Sequence, residues 1–337
     1  MCFASLVGLQ TTQQEPANMP IKIAILDDYQ AVVRTLDCFS LLQEFEVQVH
    51  STPPASLDAL VARLYDCDAI VLIRERTRID PELLARLPNL RVISQTGKIS
   101  NHLDPEACHR YGVKVLEGSG SPVAAAELCW TLMMASQRHL LAYATNLQQG
   151  RWQSSGDLGL GRCLNGKTLG IWGYGKIGRR IARYAHAFDM QVLVWGSECS
   201  RQQAVLDGHL AAMAKANFFA ECDILSLHLR LNDQTQGCVS AADLQRMKTD
   251  AVLVNISRAE LIQPGALYQG LQQGRPGYAA IDVFESEPAD PLTEPLIGLS
   301  NVLATPHLGF VEQSGYDLYF ETAFNNLRDY FDAHPTI

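Results

Sequence analysis

The stretch from Thr168 to Trp195 restricts this chain more than any other. Thr168-Leu169-Gly170-Ile171-Trp172 is an apolar, β-capable run that passes straight into Gly173-Tyr174-Gly175-Lys176-Ile177-Gly178, and then into a helix-like segment opening Arg179-Arg180-Ile181-Ala182. A second apolar run, Gln191-Val192-Leu193-Val194-Trp195, closes the unit. Strand, glycine turn, helix, strand is the order of elements that holds a dinucleotide pyrophosphate. The first Gly permits a tight turn, the second lets backbone approach the phosphates, and the third lets the helix pack on the strand. Backbone N–H groups at the helix start then face the anion. A plain glycine-rich turn is the simpler alternative, and the flanking strands and helix argue against it.

With 337 residues and 47% hydrophobic content, the chain has enough apolar mass for two domains with separate cores. Lys+Arg 27 against Asp+Glu 36 leaves a formal charge of -9, so no broad basic surface is offered to nucleic acid. No apolar run reaches the length of a membrane span. The nine Cys show no C-x-x-C pair, and several sit inside apolar runs, as buried reduced thiols do. A cytoplasmic location and no metal site are expected. Residues 1–20 lack a basic n-region, and Thr11-Thr12-Gln13-Gln14-Glu15 interrupts their apolar positions. They are expected to be a disordered leader rather than a signal peptide, with Met19 a natural start.

From Ile21 to Leu116, β-rich runs at Ile21 to Leu26, Phe45 to Val49, Ala69 to Ile73, Leu90 to Ser94 and Val113 to Leu116 alternate with helical stretches such as Leu57 to Tyr65 and Pro81 to Leu87. This pattern predicts an α/β unit of about five parallel strands. Asp104-Pro105-Glu106 is a helix start, an N-cap followed by Pro. Val123 to Gln149 reads as one long helix ending near Gly150, a natural hinge or dimer surface. Six further runs, at 168–172, 191–195, 222–227, 251–256, 278–283 and 301–304, predict a doubly wound sheet. A last helix over about Glu312 to Phe331 is expected to return to the first unit.

Three polar clusters fall at the ends of late strands in the second unit, where ligands of open α/β sheets collect. They are Asn255-Ile256-Ser257-Arg258-Ala259, Asp282-Val283-Phe284-Glu285-Ser286-Glu287-Pro288, and Ala304-Thr305-Pro306-His307-Leu308-Gly309. An arginine at such a place can hold a carboxylate through two parallel N–H···O bonds. Singly, Arg258 reads as a surface ion pair, Glu287 as a solvated loop charge and His307 as a buried histidine. Together they suggest chemistry.

With Asp223-Ile224-Leu225-Ser226-Leu227-His228 and Thr235 added, the motifs from about residue 21 to 332 resemble those of the D-isomer-specific 2-hydroxyacid dehydrogenases. The resemblance implies two doubly wound parallel-sheet α/β domains with a cleft between them. One is a flavodoxin-like substrate domain (21–122 and 306–337), the other a Rossmann cofactor domain (123–305). It implies a catalytic trio of Arg258, Glu287 and His307. Cofactor contacts are implied for Gly173, Tyr174, Gly175, Lys176, Ile177, Gly178, Gly196, Ser197, His228, Thr235 and Ile256, with Asp282 on the nicotinamide amide. It also implies reduction of a small 2-oxo acid by a homodimer. A protonated His307 would give its proton to the carbonyl oxygen, Glu287 would favour that charged form, and Arg258 would anchor the carboxylate and polarise the carbonyl. Glu287 argues against a formate enzyme, which resembles this chain with Gln beside the His. A nucleotide-sensing, corepressor-like binding protein on the same fold is the alternative from another class.

The chain also departs from the family pattern. Gly196 stands where an acidic residue would bind the adenosine ribose, so NAD(H) is favoured on family prevalence alone and NADP(H) is left open. Either Ser197 with Arg201 or Arg179 accepts a 2′-phosphate, or Glu198 reaches the ribose diol. The substrate loop reads Thr96-Gly97-Lys98-Ile99, with Ile99 in place of a second Gly and Lys98 adding a charge. Lys98 and Ile99 are therefore candidate substrate contacts, Lys98 being equally readable as a solvated lysine. Arg74 and Arg76 read better as surface charge. Arg230 replaces a usual Pro, and Ala259 a usual Gly.

Overall fold

The computed structural model describes residues 20–334; residues 1–19, where the leader is expected, lie outside them. Two compact units are present, one built from the residues up to Gly120 and from Asp317 onward, the other from Ser121 to Tyr316. The second boundary departs from the one expected at 305/306, so His307 belongs to the same unit as Arg258 and Glu287. The cause is local. Amides of Leu308 and Gly309 donate to the buried carboxylate of Asp282, each at 2.8 Å.

In the first unit, β1 (Lys22–Ile25), β2 (Glu46–Val49), β3 (Ala69–Leu72), β4 (Val92–Gln95) and β5 (Lys114–Glu117) form a parallel sheet of order β2-β1-β3-β4-β5. That is the flavodoxin-like winding. Its three central strands are buried on both faces, which is why they read as largely apolar runs, with Ser94 and Gln95 as buried polar exceptions. The helix Pro105–Arg110 starts as its sequence requires, with the Asp104 side chain accepting from Glu106 N and Pro105 in its first turn. Part of the closing helix Gln313–Ala333 belongs to this unit. There Ser94 Oγ donates to the Ala323 carbonyl at 2.9 Å, and Asn326 Nδ2 to the Glu117 carbonyl at 3.1 Å.

The second unit holds β6 (Thr168–Trp172), β7 (Gln191–Trp195), β8 (Leu210–Ala211), β9 (Ile224–Leu227), β10 (Val252–Asn255), β11 (Tyr278–Ile281) and β12 (Val302–Ala304). All seven run parallel in the order β12-β11-β10-β9-β6-β7-β8. The order reverses between β6 and β9, as in dinucleotide-binding sheets. Side chains alternate between faces with period two. Leu225, Leu227, Leu253 and Ile281 join Phe218 and Phe219 on one face, while Ile224, Val252, Val254 and Ala280 meet Met133 and Ile181 on the other. The two-residue β8, absent from the six expected strands, is too short to show an apolar pattern.

The single helix expected over Val123 to Gln149 is two, Val123–Gln137 and Leu140–Gln148. His139 adopts a left-handed backbone (φ 47°) between them. The Gln137 carbonyl, which would accept from the next helical turn, instead accepts from Arg162 N at 2.8 Å. No Gly or Pro marks the break, because its cause is a loop some 25 residues downstream.

Candidate active site

The turn after β6 carries out the three glycine roles separately. Gly173 has φ 104°, and a Cβ there would lie 2.6 Å from the His228 carbonyl oxygen. A Cβ on Gly178 would sit 2.3 Å from the Gly173 carbonyl oxygen, so helix and turn close only around hydrogen. At Gly175 a Cβ would meet nothing within 4 Å. Gly175 also caps the helix Lys176–Ala187 without a side-chain bond, and no acidic residue occupies the first turn. Open space against unfilled helix N–H groups fits a dinucleotide pyrophosphate. Lys176 is exposed at this edge, Ile177 is half-buried, and Ile256, after β10, is buried. Tyr174 is buried, and its hydroxyl donates to Asp207 at 2.9 Å, so this side chain serves packing; only its backbone lies in the turn.

After β7, Gly196 has φ 151°, and Ser197 caps the helix Glu198–Leu206 by accepting from Ser200 N. After β9, His228 bonds Ser226 Oγ through Nε2 at 2.9 Å while Nδ1 is sealed from solvent without a partner. Burial drives its pKa down to about 4, so the ring is neutral near pH 7. The Thr235 hydroxyl donates to the Arg230 carbonyl at 2.7 Å and accepts from Asn232 N. It closes that loop, and Arg230 is exposed.

The ends of β10, β11 and β12 form one layer. Asn255 pairs with Ile281 and Ile281 with Ala304; the ladder then continues from Asp282 N to the Asn255 carbonyl and from Thr305 N to the Ile281 carbonyl, each at 2.9 Å. Asn255 shapes the first loop, accepting from Ser257 N at 3.0 Å and donating to the Arg258 carbonyl at 2.8 Å. Arg258, half-buried, donates to the Ser257 carbonyl.

Asp282 organises the third loop. It accepts from Thr305 Oγ1 at 2.6 Å as well as from the two amides, and is completely buried. Burial raises its pKa above the usual carboxylate range, with these hydrogen bonds working in the opposite direction. The three donors flank His307, which has φ 52°. Such a backbone is uncommon away from Gly, and is kept where surrounding bonds determine it. His307 Nδ1 then lies 2.6 Å from Glu287 Oε2, while Glu287 Oε1 accepts from Phe284 N at 3.0 Å. Both side chains keep part of their surface exposed (23% and 32%), so the pair stays reachable by a small molecule.

Of the expected site residues, the second unit brings Glu287 and His307 into contact and sets Arg258 at the end of a strand in the same ladder. Lys98 and Ile99 are differently engaged. Lys98 Nζ lies 2.9 Å from Glu117 Oε2, and Ile99 N donates to Glu117 Oε1 at 2.9 Å. Glu117, unremarked in the sequence, thus takes both groups considered for a substrate carboxylate. Arg76 donates to the Asp27 carbonyl and lies over Tyr29, and Arg74 lies over Tyr319. Among the described residues no cluster of ligands suits a metal ion, and no helix is long and apolar enough to cross a membrane.

This fold and strand-end chemistry define a nicotinamide-dependent oxidoreductase, and comparison with known proteins supplies the family. Residues 130–309 match the model of the D-isomer specific 2-hydroxyacid dehydrogenase NAD binding domain. A glyoxylate reductase of Aeropyrum pernix is 33% identical over 280 residues, covering 81% of this chain and 82% of the relative. A hydroxypyruvate reductase of Thermotoga maritima is 32% identical, covering 75% and 81%. The crystal structure of a phosphoglycerate oxidoreductase from Vibrio cholerae superimposes with TM-score 0.91 at 56% identity, covering 93% of this chain and 99% of that one. The chain belongs to the D-isomer-specific 2-hydroxyacid dehydrogenases, enzymes that act on the CH–OH group with a nicotinamide cofactor. These relatives give no support to the corepressor reading.

Proposed function

We propose that the chain reduces a small 2-oxo acid to its D-2-hydroxy acid, with His307 as proton donor, Glu287 as its partner and Arg258 as the carboxylate anchor. The observation that carries the reading is the 2.6 Å His307–Glu287 pair, held on loops from two adjacent strand ends. A nicotinamide cofactor, when bound, supplies hydride chemistry. The chain's own residues supply position and charge. Glu287 accepts from His307 Nδ1 and leaves Nε2 as the end from which a proton reaches the carbonyl oxygen. The Arg258 guanidinium holds the substrate carboxylate and stabilises negative charge growing on the reacting oxygen. Asp282, through Leu308 and Gly309, fixes the loop from which the histidine projects. The contact with the nicotinamide amide that the resemblance implied for Asp282 is replaced here by this loop-holding role, since the carboxylate is wholly buried and both oxygens accept from its own loops.

The homodimer belongs to the same reading. It is supported by Leu140, Leu141, Trp152 and Leu160, which are 58–86% exposed in and after the helix Leu140–Gln148. A reducing, cytoplasmic setting accords with eight free cysteines among the described residues. The test is a panel of glyoxylate, hydroxypyruvate, pyruvate, phenylpyruvate and branched 2-oxo acids, run with NADH and NADPH on the wild type and His307→Asn. Asn tolerates the left-handed backbone of this position. Loss of about 10²–10⁴ in kcat with cofactor binding retained is expected; near-normal kcat would remove His307 from the mechanism.

A further inference from the structure

We propose that the adenosine end of this site is built for the 2′-phosphate of NADP(H), with Arg201 and Ser197 as the residues that select it. The inference rests on the dinucleotide reading of the glycine turn, and it reverses the preference for NAD(H) drawn from family prevalence. In sheets of this winding, the ribose nearest the adenine lies beside the end of the second strand, where an acidic side chain takes its two hydroxyls. Here that strand is β7, and its end reads Trp195-Gly196-Ser197. Gly196 has no carboxylate to offer, and its φ of 151° is one that side-chain-bearing residues rarely adopt. The acid is therefore excluded by backbone geometry as well as by sequence.

Glu198, the other acid considered for the diol, is turned along its helix. Its Oε1 accepts from Gln202 Nε2 at 3.1 Å on the exposed side. Arg201 has a different partner. Its guanidinium lies 5.0 Å from the ring centroid of Trp195, the last residue of β7. A cation held on an indole face is fixed in place without losing its charge. Its Nε is sealed from solvent, with no hydrogen-bond partner among the described residues. Ser197 and Ser200, at the start of the same helix, have hydroxyls 3.1 Å apart, and a Cβ on Gly196 would approach Ser200 at 3.5 Å. Arg179, exposed at the start of the preceding helix, lies over Tyr174 at 5.5 Å. It shares the field of Asp207, whose carboxylate already accepts from Tyr174 and Gln203, which leaves Arg201 as the principal cation. The segment after β7 thus supplies an arginine and two hydroxyls to a phosphate ester, and no carboxylate at position 196 to a ribose diol.

The test measures equilibrium binding, so that it does not depend on turnover. Dissociation constants of NADPH and NADH are obtained by fluorescence titration of the full chain, with 2′,5′-ADP and 5′-AMP as competitors. NADPH is expected to bind at least about tenfold tighter, and 2′,5′-ADP to compete better than 5′-AMP. Arg201→Gln should reduce the NADPH:NADH affinity ratio about tenfold, with partial recovery in Arg201→Lys. Ser197→Asp keeps an N-capping side chain and should push the ratio below one. Equal affinities in the wild type, tighter binding of NADH, or an equal loss of both nucleotides in Arg201→Gln overturns the proposal. A retained NADPH preference with no 2-oxo acid reduced would instead uphold this site while defeating the dehydrogenase reading.

Discussion

His307 and Glu287 are separated by 20 positions in the chain and by 2.6 Å in space. In the proposed reaction the carboxylate holds the imidazole through Nδ1 and leaves Nε2 for the substrate carbonyl. Glu287→Gln removes the carboxylate charge and leaves one acceptor oxygen for Nδ1 and Phe284 N, which now use one each. For 2-oxo acid reduction, kcat should fall about tenfold or more while cofactor binding is kept. The check is steady-state kinetics and a cofactor titration on the wild type and the variant; an unchanged kcat separates Glu287 from the reaction. His228 provides a second test of a single side chain, through stability. Burial depresses its pKa from 6.5 to about 4, so the neutral ring favours the native state fully above pH 6.5. That contribution is lost as pH falls toward 4, because the unfolded chain takes up the proton first. Part of the residue stays near the surface, so about 3 kcal/mol is an upper bound. Urea midpoints at pH 7.5 and 4.5 should fall further in the wild type than in His228→Gln.

Among the elements, the loops after β10, β11 and β12 carry the proposed chemistry, and Asp282 joins the second loop to the third. Asp282→Asn leaves one oxygen for three donors, of which two are backbone amides around His307. A loss of about 2 kcal/mol in stability is expected, together with a fall in kcat larger than the change in substrate KM, as measured by thermal melts and steady-state kinetics. Unchanged kcat would show that the loop keeps its shape without the carboxylate. The three strand-end clusters were legible in the sequence because polar residues interrupt apolar runs there. The clamp itself was not. Asp282 reads as a nicotinamide contact by resemblance, and nothing in one dimension shows that its oxygens accept from Thr305, Leu308 and Gly309. Glu117 was equally hidden, since its partners Lys98 and Ile99 come from the loop after the neighbouring strand. The helix break at His139 leaves no local mark in the sequence because Arg162, far along the chain, takes the Gln137 carbonyl.

For the molecule as a whole, both sheets were legible because their central strands are buried on two faces and therefore largely apolar. The edges were less so: β8 has two residues, and β2 and β5 each carry two exposed residues. The division between the units was displaced for a related reason. Continuity of sequence suggested that the chain leaves the second unit after β12, whereas hydrogen bonds to Asp282 retain residues 306–316 there. The three turn glycines, alike in the motif, are unlike in what constrains them. Two are locked by neighbouring backbone, and any descendant of this protein must keep them merely to fold. The middle one faces only vacant volume, so a lineage that ceased to need its nucleotide would be free to drift at position 175 first. A side chain appearing there would record the retirement of the cofactor rather than damage to the scaffold.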